Sequence, residues 1–99
     1  MKRYRARYTP EAAAQIRALH PQIKRDVRDA IRGLLLDPLA GKPLQWELAG
    51  FRSLRVRQHR IVYRLGAATA SIDIVFFGVR KSVYEELQAM LLRERRPER

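Results

Sequence analysis

Cysteine is absent from this chain of 99 residues. Its absence excludes disulfide bonds, thiolate metal sites and a cysteine nucleophile. Long apolar runs are also missing. No stretch approaches the ~20 apolar residues that a membrane-spanning helix needs, and the basic N-terminus leads into no apolar segment of signal-peptide length. We therefore expect a soluble, cytoplasmic protein.

Acidic residues are scarce: ten Asp and Glu stand against 21 Lys and Arg, which gives a net charge of +11 and a pI near 11.2. A field of this strength favours nucleic acid, anionic lipid or an acidic protein as the partner. Seventeen of the basic residues are Arg, which suits phosphate recognition but also follows from genomic base bias. The carboxylates at Asp37, Glu47 and Asp73 are scattered, so we expect no metal site and no cofactor.

The most informative segment is residues 48–72, which contain no acidic side chain and five arginines. Its middle, 51–63, alternates like two half-buried strands joined by a tight turn at Gln58. Alternation predicts Ser53, Arg55 and Arg57 on one face, with Leu54 and Val56 on the other. The turn should then bring Arg60 near Arg55. Neighbouring guanidiniums without a counter-charge favour an anion, and a planar guanidinium grips phosphate bidentately.

The remaining elements follow from caps, breakers and periodicity. Thr9 and Pro10 predict a helix start after a first strand at 3–8, and Pro21 predicts a second helix that ends by Asp37, before Pro38. Residues 37–45 are predicted to form a loop. Trp46 is predicted to anchor it onto the helices rather than to stack on a base. Further strands are predicted at 51–57, 59–65 and 71–78, a last helix at 82–93, and a frayed tail at 95–99.

This order predicts one domain over residues 1–99 in the α+β class. We expect a small β-αα-βββ-α sandwich, with a mostly antiparallel four-stranded sheet, an N-terminal helical hairpin and a C-terminal helix.

The local sequences in this order resemble the RelE/ParE superfamily of toxins from type II toxin–antitoxin systems. Four segments carry the resemblance over nearly the whole chain, and together they are fairly specific. They are Tyr-Thr-Pro-Glu-Ala at 8–12, Gly-Lys-Pro-Leu at 41–44 with Glu-Leu-Ala-Gly at 47–50, Leu-Arg-Val-Arg-Gln-His-Arg-Ile-Val-Tyr at 54–63, and Phe-Gly-Val-Arg-Lys-Ser-Val-Tyr at 77–84.

The resemblance implies the RelE-like branch of this superfamily, whose members cleave mRNA on the ribosome without a metal ion. It implies an acidic antitoxin as the protein partner and a toxin–antitoxin hetero-oligomer. By position, the residues that match the RelE-like catalytic set are Arg55, Arg60, Arg80 and Tyr84. Arg52, Arg57, Arg64 and Lys81 are candidate RNA-binding residues. Ser53 departs from the pattern, because RelE-like enzymes often carry a further basic residue there; Arg52 or Arg57 is expected to supply the missing charge.

The implied reaction is attack of a ribose 2′-hydroxyl on the adjacent phosphorus, with negative charge developing in the transition state. Arginine stays protonated, so Arg55 and Arg60 are expected to stabilise charge rather than act as bases. Arg80 or Lys81 would protonate the leaving oxygen. Tyr84 would stack on a base or hydrogen-bond near the attacking hydroxyl; packing in the core is its alternative.

Histidine is the usual general base near neutral pH, which makes His59 the candidate base. Its place beside the turn predicts an exposed side chain instead. His20, next to Pro21, is predicted to be a cap or surface residue.

Two other functions remain open from the sequence. One is a ParE-like inhibitor of DNA gyrase without nuclease activity. The other is a degenerate domain that only binds nucleic acid or antitoxin.

Overall fold

A computed structural model describes residues 3–66, 70–79 and 83–95, apart from the side chains of residues 83, 94 and 95. The elements in chain order are β1 (Arg5–Tyr8), α1 (Pro10–Arg17), α2 (Pro21–Leu36), β2 (Lys42–Pro43), a 3₁₀ turn (Trp46–Leu48), β3 (Arg52–Val56), β4 (His59–Gly66), β5 (Ser71–Val79) and α3 (Val83–Arg95). The predicted α+β class and element order are confirmed. The predicted tail at 95–99 lies outside the described residues, except that Arg95 ends α3.

The sheet has five strands, in the order β1-β5-β4-β3-β2, rather than the predicted four. β1 runs parallel to β5 and every other pair is antiparallel. The additional strand, β2, has two residues and lies inside the predicted loop, where Lys42 pairs with Ser53. Its other residue is Pro43, which has no amide proton to donate and is tolerated because β2 is an edge strand.

The helix boundaries follow the predicted caps. The Thr9 hydroxyl accepts a hydrogen bond from the Ala12 amide at 3.1 Å and donates to the Val75 carbonyl at 3.0 Å. It therefore caps α1 and fixes the start of that helix to β5. His20 caps α2 as predicted, because its Nδ1 accepts from the Gln22 amide at 3.1 Å.

Each face of the sheet is covered by helices. Against one face, α2 packs Val27, Ile31 and Leu34 with α1 beside it. Against the other, α3 packs Leu87 and Met90. Phe76 and Phe77 belong to opposite cores, as the alternation along β5 requires.

Tyr63 joins the loop after α2 to the sheet. Its side chain is fully buried; the hydroxyl donates to the Pro38 carbonyl at 2.8 Å and accepts from the Gly41 amide at 2.9 Å. A Cβ atom at Gly41 would lie 2.6 Å from this hydroxyl, so only glycine allows the approach. Burial raises the pKa of Tyr63 above its ordinary value, and the hydrogen bond from Gly41 partly offsets the rise.

Candidate functional site

Two arginines stand side by side on the β3–β4 hairpin, as the sequence predicts. Arg55 and Arg60 are directly opposite each other in the antiparallel register, on the face of the sheet that α3 covers. Arg55 is exposed, and its Nε donates to the Arg57 carbonyl at 3.1 Å. Like charges directly opposite each other on a sheet repel. An anion bound between the two guanidiniums would relieve that repulsion.

Arg60 is only partly exposed and incompletely paired. Its Nη1 lies 3.5 Å from the Ser53 hydroxyl, a long contact, and its buried Nε has no hydrogen-bond partner among the described residues. A buried donor without an acceptor is costly. The side chain as a whole is partly exposed, so a phosphate oxygen can reach the guanidinium and add an acceptor for this charged group.

Ser53 connects this guanidinium to α3. It is 2% exposed, and its hydroxyl oxygen accepts a hydrogen bond from the Tyr84 hydroxyl at 2.9 Å. Tyr84 lies in the first turn of α3, half-buried beside the α3 core. Ser53 therefore occupies the space between Arg60 and Tyr84, where a small hydroxyl residue fits. A long cationic side chain there would displace the tyrosine.

The prediction that Arg57 shares a strand face with Ser53 and Arg55 is wrong. β3 ends at Val56, and Arg57 has a positive φ of 57° in the turn. Its Nε donates to the carboxylate of Asp26 on α2, so this guanidinium has an internal counter-charge and lies toward the helical hairpin.

Arg52 likewise lies away from the Arg55–Arg60 pair. It is opposite Tyr63 in the β3–β4 register, and its Nη1 donates to the carbonyls of Gly41 at 2.7 Å and Leu39 at 3.3 Å. The expectation that Arg52 or Arg57 replaces the charge missing at Ser53 is therefore wrong. Any RNA contact by either residue stays a prediction.

Arg64 shares a strand face with Arg60. It is exposed, and its guanidinium carbon lies 5.7 Å from the centroid of the Phe51 ring, within cation–π range. This position extends the line of positive charge along β4. Arg80 and Lys81 lie outside the described residues, so their predicted roles as proton donors stay predictions.

His59 is not the exposed turn residue that the sequence predicts. It begins β4, and its ring stacks on Phe77 with centroids 5.0 Å apart and an interplanar angle of 8°. Its Nδ1 is buried without a partner among the described residues. Because His59 and Arg60 are consecutive on a strand, their side chains lie on opposite faces. The fold therefore separates the candidate base from the arginine pair.

Trp46 also departs from its prediction. Its side chain is 82% exposed and does not anchor the loop; neighbouring Leu48 is buried in the α3 core instead. The backbone of Trp46 has a φ of 59°, a conformation uncommon for a bulky residue. It lines an open pocket of about 310 Å³ together with Tyr84. The polar neighbours Gln45 and Glu47 were the available sequence signal for exposure.

Sequence reasoning also missed a groove of about 420 Å³ between β1, α1 and α2. Its apolar lining includes Ala6, Ile16 and Leu35. Basic side chains border it, at positions Arg17, Lys24, Arg28 and Arg32. Burial raises the pKa of Tyr8 in this groove, and the charge of Arg28 opposes the rise. The groove is suited to an apolar segment flanked by acidic groups.

No cluster of three or more His, Cys, Asp or Glu side chains in the described ranges could hold a metal ion. No helix of the described part is long and apolar enough to cross a membrane.

Comparisons with known proteins agree with this architecture. Residues 6–84 match the family model described as the ParE toxin of the type II toxin–antitoxin system parDE. No curated protein sequence matches the chain.

Among solved structures, a chain of the RelBE2 toxin–antitoxin complex from Mycobacterium tuberculosis is 33% identical, with a TM-score of 0.72 over 80% of this chain and 100% of that one. The YoeB/ParE toxin from Agrobacterium tumefaciens is 21% identical, with a TM-score of 0.69 over 77% and 98%. A doubly substituted E. coli toxin RelE in the free state is 13% identical, with a TM-score of 0.75 over 96% and 100%. The two matches at 21% and 13% identity support the fold alone. The match over residues 6–84, with the 33% identity, shows that this chain belongs to the RelE/ParE family and is a toxin of a type II toxin–antitoxin system.

Proposed function

We propose that this toxin is a metal-independent endoribonuclease that cleaves mRNA on the ribosome and so inhibits translation in the cytoplasm. The observation that carries the proposal is the opposed pair Arg55 and Arg60, in which the buried Arg60 Nε has no partner among the described residues. This pair offers a site for one phosphate of an RNA strand.

The chemistry requires charge stabilisation near that phosphate. The ribose 2′-hydroxyl gives its proton to water as its oxygen bonds to phosphorus and the bond to the 5′-oxygen breaks. Protonation of that 5′-oxygen leaves a 2′,3′-cyclic phosphate and a 5′-hydroxyl. The transition state carries more negative charge than the substrate. Guanidiniums already in place therefore stabilise it more than the ground state. Arg80 or Lys81 would give a proton to the leaving oxygen.

Tyr84 would serve this reaction by position rather than by its hydroxyl. The Tyr84 hydroxyl donates its hydrogen bond to the Ser53 Oγ, and the same Oγ lies 3.5 Å from the Arg60 Nη1. The ring is held beside the arginine pair and is available to stack on a base next to the reacting phosphate.

A second candidate, poisoning of DNA gyrase without nuclease activity, is favoured by one observation. Ser53 takes the place of a further basic residue and engages the Tyr84 hydroxyl, so the site holds fewer free catalytic groups than a RelE-like enzyme. The match to a family model described as ParE points the same way.

The protein partner follows from relatives and charge. The 33%-identical relative was solved as a toxin–antitoxin complex. With a net charge of +11 and a basic-bordered apolar groove, this chain is suited to an acidic antitoxin whose amphipathic segment orders on binding.

The decisive experiment is primer extension on translated mRNA after brief induction of the toxin, with gyrase supercoiling measured in parallel. The Arg55→Ala/Arg60→Ala variant should lose cleavage. The Arg3→Ala/Arg25→Ala control, which removes the same charge from exposed positions elsewhere, should keep it. Inhibition of gyrase without any new RNA ends would contradict the nuclease proposal and favour the second candidate.

A further inference from the structure

We propose that Trp46 and Tyr84 form a binding site for one nucleobase of the RNA, adjacent to the phosphate held by Arg55 and Arg60. This inference rests on the proposed function and adds a base-binding residue, Trp46, to it.

The conformation of Trp46 is the first observation. The indole is 82% exposed, and its backbone has a φ of 59°. Both features are unfavourable for a large apolar residue in a free monomer, and backbone strain of this kind is concentrated at ligand-binding sites. An aromatic face that covers no core is available to stack on a flat ligand.

The pocket beside the indole is the second observation. It has a volume of about 310 Å³ and is lined by Leu44, Gln45, Trp46, Glu47, Leu48, Tyr84 and Gln88. These lining residues include one carboxylate and no cation. A phosphate or an acidic peptide would therefore be repelled, whereas an uncharged base meets two aromatic rings and the amide groups of Gln45 and Gln88.

The location of the pocket is the third observation. Tyr84 lines it and, through its hydroxyl, shares the Ser53 oxygen with Arg60. A base in the pocket would thus lie next to the backbone phosphate at the arginine pair. Positively charged backbone contacts beside aromatic stacking are the usual combination in single-strand binding.

The pocket wall that carries Trp46 is held at both ends. The Ala49 amide donates to the Trp46 carbonyl at 3.0 Å, and the Leu44 amide donates to the Phe51 carbonyl at 2.9 Å. The Gln88 side chain of α3 donates to Glu47 at 3.3 Å. These bonds fix the 3₁₀ turn relative to α3, so the backbone that carries the indole is positioned before the RNA arrives.

Because Trp46 is the sole tryptophan of the chain, its fluorescence reports directly on the site. The probe is a short single-stranded RNA with 2′-O-methyl groups, which cannot be cleaved because the attacking hydroxyl is blocked. We expect saturable quenching by this RNA and none by an abasic strand of equal length and charge. In a labelled-RNA binding assay, Trp46→Ala should weaken binding roughly 5- to 150-fold, which corresponds to about 1–3 kcal/mol of base–aromatic stacking.

Two variants control this measurement. Trp46→Phe retains an aromatic face and should recover most of the affinity. Leu36→Ala removes another apolar side chain, 89% exposed at the end of α2, and should change nothing. Unaltered unfolding midpoints would show that every variant folds. Wild-type affinity in folded Trp46→Ala, or equal quenching by the abasic strand, would overturn the proposed site.

The outcome is separable from that of the proposed function. If Trp46→Ala cleaves RNA with an unchanged KM, the proposed base-binding site is contradicted and the proposed nuclease activity is retained. If the protein binds RNA through Trp46 but never cleaves it, the proposed nuclease activity is contradicted and the proposed base-binding site is retained. If gyrase quenches Trp46 while RNA does not, the exposed indole is a protein contact and the base site is overturned.

Discussion

Arg60→Met should stabilise the free toxin while it weakens RNA binding. Arg60 lies directly opposite Arg55, and its Nε is buried without a partner among the described residues. Methionine fills similar space without charge or donor. The substitution therefore removes a repulsion and a desolvation cost that the folded chain bears until an anion binds.

The magnitude follows from these two contributions. Opposite residues of an antiparallel pair have Cβ atoms about 5 Å apart, and two unit charges at about 4 Å repel by about 1 kcal/mol in water. An unsatisfied buried donor costs about 1–3 kcal/mol, and Arg60 is at the lower end because its side chain is partly exposed. We expect the free energy of unfolding to rise by about 1–2 kcal/mol at low salt.

Urea unfolding at two salt concentrations measures this change. At about 0.1 M salt the Debye length is about 10 Å, and at 1 M it is about 3 Å, so the electrostatic part of the gain should shrink. Arg7→Met is the control of opposite sign, because Arg7 faces Asp73 at 3.8 Å and its loss should cost up to about 1 kcal/mol. If Arg60→Met instead unfolds more easily than the wild type, Arg60 is already satisfied within the fold and the phosphate site is misassigned.

Three other outcomes test the same structure. Arg55→Ala/Arg60→Ala should flatten the salt dependence of RNA binding by about 0.7 in slope for each lost phosphate contact; an unchanged slope would place the binding surface elsewhere. Arg80→Ala should abolish toxicity, with a rate loss of about 10²–10³-fold, and His59→Ala should stay toxic; the reverse pattern would require a histidine base. Tyr63→Phe should cost about 1–3 kcal/mol, because Gly41 N–H loses its buried acceptor. Since burial raises the pKa of Tyr63 from 10.0, its protonated hydroxyl contributes stability that is present below about pH 10 and lost as pH rises further. Urea unfolding at about pH 8 and about pH 11 should show a smaller alkaline loss in Tyr63→Phe, and an equal loss would contradict this assignment.

Local rules were sufficient for most of the fold. Thr9, Pro10 and Pro21 place the helix starts because caps and fixed proline φ angles act within one turn. Alternation places Arg55 opposite Arg60 because a tight hairpin fixes its own register. β2 was missed because two residues carry no periodic signal, and only their pairing with β3 defines them.

The errors at the site arise where tertiary contacts, rather than local patterns, decide where a side chain lies. Arg57 leaves the strand pattern at a left-handed turn residue and meets Asp26, which is 31 positions away in the chain. His59 is drawn onto Phe77 of a neighbouring strand. Trp46 is predicted to pack against the helices, but its side chain is exposed and Leu48 takes that place in the core. No sequence pattern within these segments indicates which distant residue each side chain contacts.

Ser53 links the sequence departure to the shape of the site. Its oxygen receives the Tyr84 hydroxyl and lies near Arg60, in a position that is 2% exposed. A third cation there would be desolvated between a tyrosine and another guanidinium, which is unfavourable without a bound anion. With serine at this position, the site lacks a third positive charge but holds the Tyr84 ring in place through a hydrogen bond. In the proposed RNA site the two arginines are combined with Tyr84 and the neighbouring Trp46, so aromatic stacking should carry a larger share of RNA recognition than in a site built from three cations.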